Sequence, residues 1–191
     1  VQWASAAGGN DHWYEVVKPG PTSVGHIYWP DARDAAIGRG GYLATLTSRA
    51  EELFVYNALQ IGTTWDYWFE DAARNWQGPW LGGFQTPGAR WPYENWGWVT
   101  GEAWGDTDWA SGEPNDAGPE QAPFFENDNE QYLQFFYNGS WEPSWNDIIW
   151  NSPVRAYVVE YDAKPVPEPA TVLLLGFGLG WLVKARRMPG K

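Results

Sequence analysis

From Trp76 to Trp150 the sequence alternates glycine, proline, asparagine and tryptophan so densely that irregular connections and short strands, with little helix, must carry it. Helical periodicity is confined to what comes before. Trp29 to Ile37 is alanine-rich and suits a first short helix. A second begins at Ser48, which forms a capping box with Glu51, and Phe54 with Ala58 and Val55 with Leu59 give the i, i+4 spacing of a packed face. Trp13 to Val17 and Ala156 to Tyr161 are rich in β-formers and suit an opening and a closing strand. Late in the loop-rich part, Gln131 to Tyr137 and Ser140 to Trp145 flank Asn138-Gly139, the signal for a hairpin with a two-residue turn. Helices first, then loops and short strands, predicts an α+β fold. Long loops anchored between strands are where function ordinarily resides.

A chain of 191 residues has room for one domain and an appendage. There is no cysteine, so neither disulfides nor thiolate metal sites brace the fold, whereas 16 tryptophans supply apolar surface for a core. The appendage is the C-terminus. Lys164 to Pro169 reads Lys-Pro-Val-Pro-Glu-Pro, Thr171 to Val183 is an unbroken apolar run, and Lys184, Arg186 and Arg187 close it. The run is shorter than the roughly 20 residues that span a bilayer comfortably, and Pro169 and Ala170 bring it nearer. A proline break before it and basic residues after it fit a membrane-inserted hydrophobic helix with its end in the cytoplasm. The expected organisation is therefore a domain over 1–162 and a tail over 163–191. The chain opens on Val1 with no hydrophobic leader, which fits a signal peptide already removed.

Charge narrows the partners. Residues 1–164 hold 8 of the 12 basic and 23 of the 24 acidic residues, a net of 8 − 23 = −15, which repels phosphate backbones and sets nucleic acid aside. Between Gly101 and Trp150 there are eleven acidic residues and no Lys, Arg or His. Such a run is ordinarily a solvated face, and equally it invites a metal cation. Glu113-Pro114-Asn115, Glu130 and Trp145-Asn146-Asp147 offer carboxylate and amide oxygens, the ligands that calcium takes at about 2.3–2.6 Å. Glu130 and the Asn146-Asp147 pair would sit on the two arms of one hairpin and so can converge. A cis bond at Pro114 would turn the side chains of Glu113 and Asn115 to the same side.

Trp29 to Ile37, Gly41-Tyr42-Leu43-Ala44-Thr45-Leu46, Trp80-Leu81-Gly82-Gly83, Glu113-Pro114-Asn115, Trp145-Asn146-Asp147 and Val158-Val159-Glu160-Tyr161 fall in the order of the C-type lectin-like domain, which residues 11–161 resemble. That resemblance implies two helices with antiparallel sheets and long loops. It implies that Glu113, Asn115, Glu130, Asn146 and Asp147 hold calcium and the two vicinal hydroxyls of a sugar. Glu-Pro-Asn goes in that family with equatorial 3- and 4-hydroxyls, as in mannose, glucose and fucose. It also implies that the family's disulfide positions are filled here by Ala36 with Val159 and by Tyr132 with Trp150. The interval from Asn115 to Glu130 is longer than common and contains Glu120, Glu126 and Asp128, any of which could take the role of Glu130. The tail, from Pro167-Glu168-Pro169 onward, resembles the PEP-CTERM sorting signal of Gram-negative bacteria. That likeness implies an exported protein of the cell envelope or exopolysaccharide, cleaved by an exosortase.

Trp80, Trp104, Trp109 and Trp145 are expected in the core, and Trp96 and Trp141 are freer candidates for stacking on a pyranose. His12 and His26 are isolated and default to structural roles. No nucleophile–base set is visible, so a binding protein is expected rather than an enzyme. A calcium-stabilised module that binds protein instead of sugar is the alternative.

Overall fold

The computed structural model describes residues 1–20, 25–117, 130–137, 139 and 142–165. The sorting tail beyond residue 165, Asn138, Trp141 and the acids Glu120, Glu126 and Asp128 lie outside them.

The helices form where the periodicity places them. Helix α1 (Trp29–Gly38) has proline in its first turn and buries Trp29, Ala32 and Ala36. Helix α2 (Arg49–Ala58) is capped by Ser48, whose hydroxyl accepts from the Glu51 N–H at 3.2 Å. Glu51 departs from the simple capping box. Its Oε2 accepts from Thr47 N–H at 2.8 Å, one residue further out than the box requires.

Strands β1 (Trp13–Val17), β2 (Tyr42–Leu43), β3 (Phe69–Glu70), β4 (Trp76–Gln85), β5 (Trp96–Trp98), β6 (Tyr132–Tyr137), β7 (Trp145–Ile148) and β8 (Tyr157–Tyr161) form one sheet, with the path β1-β8-β4-β6-β7. The first and last strands pair antiparallel from Trp13↔Tyr161 to Val17↔Tyr157, which brings the two ends of the domain together. The sheet is mixed where an antiparallel one was expected. β4 and β8 run parallel at Trp80↔Tyr157, because β8 enters the centre of the sheet after the long loops. Gly82 is required here: a Cβ would meet Leu43 O at 2.4 Å, and its N–H donates to Ala44 O at 2.8 Å.

The late hairpin exists: Phe135 pairs with Trp145, Phe136 N–H donates to Ser144 O, and the second strand runs from Trp145, while Ser140 and Trp141 of the expected arm lie outside the described residues. The Ser144 hydroxyl, on the residue before the strand, donates to Phe136 O at 2.9 Å and competes there with the ladder.

Two apolar clusters flank the sheet. One gathers Leu46, Val55, Trp68, Trp98, Phe135 and Trp145, with Trp104 and Trp109 half-buried against it. The other joins α1 to Trp80, Ile148 and Val159. Trp29 Nε1 donates to Leu81 O and Trp80 Nε1 to Ile27 O, each at 2.8 Å, so both indoles are satisfied within the core. Ala36 and Val159 pack in the same cluster. Tyr132 instead lies against Trp29 (4.5 Å between ring centres), and Trp150 against Tyr28 (5.8 Å). His12 takes a structural role, its Nδ1 lying 2.6 Å from Oε1 of the buried Glu160.

Trp96 corrects the sequence reading. It is 8% exposed, donates from Nε1 to Pro92 O, and packs against Trp104 and Trp109, so it belongs to the aromatic nest and offers no face to a sugar.

Candidate metal centre and binding cleft

Strand β7 carries Asn146 and Asp147 on opposite faces, because side chains alternate along a strand. Asp147 is wholly buried. Its carboxylate accepts from Asn115 N–H (3.0 and 3.1 Å to the two oxygens) and from Asp116 N–H (2.8 Å). The loop after Glu113 is therefore tied to β7 by its backbone. The Glu113–Pro114 bond is cis, and Asp116 sits at φ 50°, in the left-handed region.

Glu130 closes the loop from the other side. Its Oε2 accepts from Ala117 N–H at 2.7 Å, and its own N–H donates to Asp116 Oδ1 at 2.8 Å. Asn115 Oδ1 also accepts from Ala117 N–H, at 2.8 Å. Glu113, Asn115, Glu130 and Asn146 line one cleft of about 320 Å³, and Asp147 adjoins it, lying against the Glu113 carboxyl while it anchors the loop.

The electrostatics of this group are unfavourable as they stand. Glu113 is pushed up to about 7 by burial and then by the charge of Asp147. Glu130 is pushed up to about 8 by burial and by the same charge. Asp147 is also raised, burial outweighing the backbone N–H groups that favour its charged form. Glu113 Oε2 is buried with no hydrogen-bond partner, a costly state for an ionised oxygen. Among the described residues no group of three or more His, Asp or Glu side chains is drawn together so as to hold a metal ion alone. A metal here would need the mixed donor set, carboxylates with the amides of Asn115 and Asn146. Hard oxygen donors of that kind fit calcium.

Sequence reasoning missed the far wall of the cleft. The β3–β4 hairpin contributes Phe69, Asp71, Asn75 and Gln77. Asp71 organises that turn, its Oδ1 accepting from Ala73 and Asn75 N–H (2.8 and 2.9 Å) and its Oδ2 from Gln77 Nε2 (2.8 Å). An Asp followed by Ala-Ala-Arg-Asn before a strand is a readable Asx turn, and would have located it. The burial of Glu51 and Glu52 on α2 was also missed, since charged positions of a surface helix ordinarily face water. Burial pushes Glu52 up to about 8, against the opposing pull of Arg49.

Two helices, a mixed sheet closed by the domain's paired first and last strands, and a cleft made from long loops define a C-type lectin-like fold. Solved structures share it. The cow C-type carbohydrate-recognition domain of CD23, in the presence of a GlcNAc2Man3 oligosaccharide, is 22% identical with a TM-score of 0.54, the match covering 80% of this chain and 89% of that one. The C-type lectin CEL-I from Cucumaria echinata is 20% identical (TM-score 0.54; 78% and 89% covered). Herring type II antifreeze protein is 17% identical (TM-score 0.52; 82% and 92% covered). Residues 165–187 match the PEP-CTERM protein-sorting motif. A comparison of the sequence with curated proteins gives no match. Among the described residues no helix is long and apolar enough to cross a membrane.

Proposed function

We propose that residues 1–162 are a calcium-dependent carbohydrate-binding module for sugars of the mannose, glucose and fucose type. Residues 163–191 would be a sorting tail that holds an exported bacterial protein in the membrane until an exosortase processes it. The natural setting of such a protein is the cell surface or an exopolysaccharide.

The observation that carries this reading is the cleft itself. Glu113 and Glu130 are forced together in it with the amides of Asn115 and Asn146, and Glu113 keeps a buried oxygen without a partner. Glu113, Asn115, Glu130, Asn146 and Asp147 would hold the ion. When bound, calcium supplies exchangeable positions for two vicinal hydroxyls that water otherwise occupies. The protein supplies the discrimination. A carboxylate accepts from a hydroxyl and an amide NH₂ donates to it, so the order of Glu and Asn reads hydroxyl orientation. The backbone ties to Asp147 fix that order beforehand. One site of this type binds a monosaccharide at about millimolar strength, near 4 kcal/mol, and gains avidity by repetition.

The second reading is a protein-binding or matrix module with calcium bracing its loops. It is favoured by the use of Asp147 to pin the loop backbone, since that role needs no sugar. A mannose column separates the two. The full chain, in a detergent without a sugar headgroup, is expected to be retained with calcium and eluted by EDTA. Flow-through on mannose, glucose and fucose columns alike would dismiss the lectin reading.

A further inference from the structure

The cleft is larger than the proposed ion and two hydroxyls require. An ion with two oxygen ligands fills on the order of 100 Å³, at about 30 Å³ per water-sized group, against about 320 Å³ available. The same cleft is lined by Phe69 and Asn75 of the β3–β4 hairpin and by Ile149 and Ser152. These residues offer an aromatic ring, an amide, an aliphatic side chain that is 37% exposed, and a hydroxyl. A pyranose presents the matching chemistry, apolar C–H faces with polar edges.

The wall is also rigid. Asp71 N–H donates to Asn75 O at 2.9 Å, and the Asp71 carboxylate closes the turn through Ala73, Asn75 and Gln77. Gln77 is fixed a second time, because its Oε1 accepts from Nε2 of the fully buried Gln134. Asn75 differs from both. Its Nδ2 reaches Asp71 Oδ2 at a long 3.4 Å, which leaves a second N–H and the carbonyl oxygen of its amide for a ligand. A preformed wall carrying an amide with spare capacity costs little to engage.

We propose that the β3–β4 hairpin forms a second saccharide subsite continuous with the calcium site, so that the ligand is an oligosaccharide of at least two pyranoses. The proposal rests on the carbohydrate reading above. Asn75 hydrogen-bonds the second sugar and Phe69 packs on its apolar face. The hairpin thereby sets the preference for chain length, while the Glu113 end sets the preference for hydroxyl orientation.

Calorimetric titration of the full chain with calcium tests this, using methyl α-mannoside and a mannotriose as probes on the parent and on Asn75→Ala and Phe69→Ala. The expected result is about tenfold tighter binding of the trisaccharide by the parent. Each variant should lose most of that gain and keep its affinity for the monosaccharide, which also reports that the variant is folded. Equal affinity for the two probes, or a gain that survives both substitutions, overturns the subsite alone. Loss of monosaccharide binding in both variants overturns its independence from the calcium site. Absence of calcium-dependent binding of either probe overturns the lectin reading and this inference with it.

Discussion

Asp147 is wholly buried in β7, and the N–H groups of Asn115 and Asp116 converge on its carboxylate. Its replacement by alanine strands both donors, at about 1–3 kcal/mol for each left unsatisfied. Asp147→Ala is expected to lower the melting temperature by several degrees and to abolish retention on mannose, as read by thermal melts and the column. Asn146→Asp and Glu113→Ala separate binding from folding. Neither side chain holds the 115–116 backbone, so both should leave the melting temperature within a few degrees and eliminate retention. Undiminished retention in both would refute the site. These positions were legible because Glu-Pro-Asn and Trp-Asn-Asp are compact motifs whose residue types announce oxygen donors. Trp96 was misread for the opposite reason, since a tryptophan among glycines and prolines looks free until its neighbours in space are known.

Helix α2 and the late hairpin show what local pattern can and cannot reveal at the level of elements. Ser48 was readable as a cap because the hydroxyl and the helix it caps lie within one turn. Ser48→Ala is expected to cost about 1 kcal/mol, a fall of about 2–4 °C in the melting temperature for a domain of this size. A calorimetric scan showing no shift would mean that Glu51, through Thr47, holds the helix start alone. The hairpin was found because Asn-Gly is a strong local signal, while the start of its second strand at Trp145 depends on which residues pair across it. The β3–β4 hairpin went unread because its strand β3 spans only Phe69–Glu70. So short a strand has no period to detect.

Across the whole molecule, buried carboxyl groups recur. Glu52 and Glu130 are pushed up to about 8, and Glu113 and Glu160 to about 7, burial being the largest cause for each. An unfolded glutamate titrates near pH 4.3. Between that value and about 8 the folded state holds more protons than the unfolded one, so stability falls as pH rises. In EDTA the melting temperature should therefore be lower at pH 8 than at pH 5, and a rise would contradict these assignments. Calcium reverses the trend at Glu113 and Glu130, because it needs them deprotonated. Its affinity should weaken as pH falls below about 7, and its binding near neutrality should release protons, measurable by calorimetry in buffers of different ionisation enthalpy. The order of motifs made the overall fold readable, while the parallel β4–β8 pairing depends on how distant segments meet and has no local signature. At the positions where the lectin-like resemblance implies one disulfide, Ala36 and Val159 lie in one apolar cluster, and the sequence has no cysteine. No thiol oxidation enters the folding of residues 1–162, and thiol reductants will not weaken that domain.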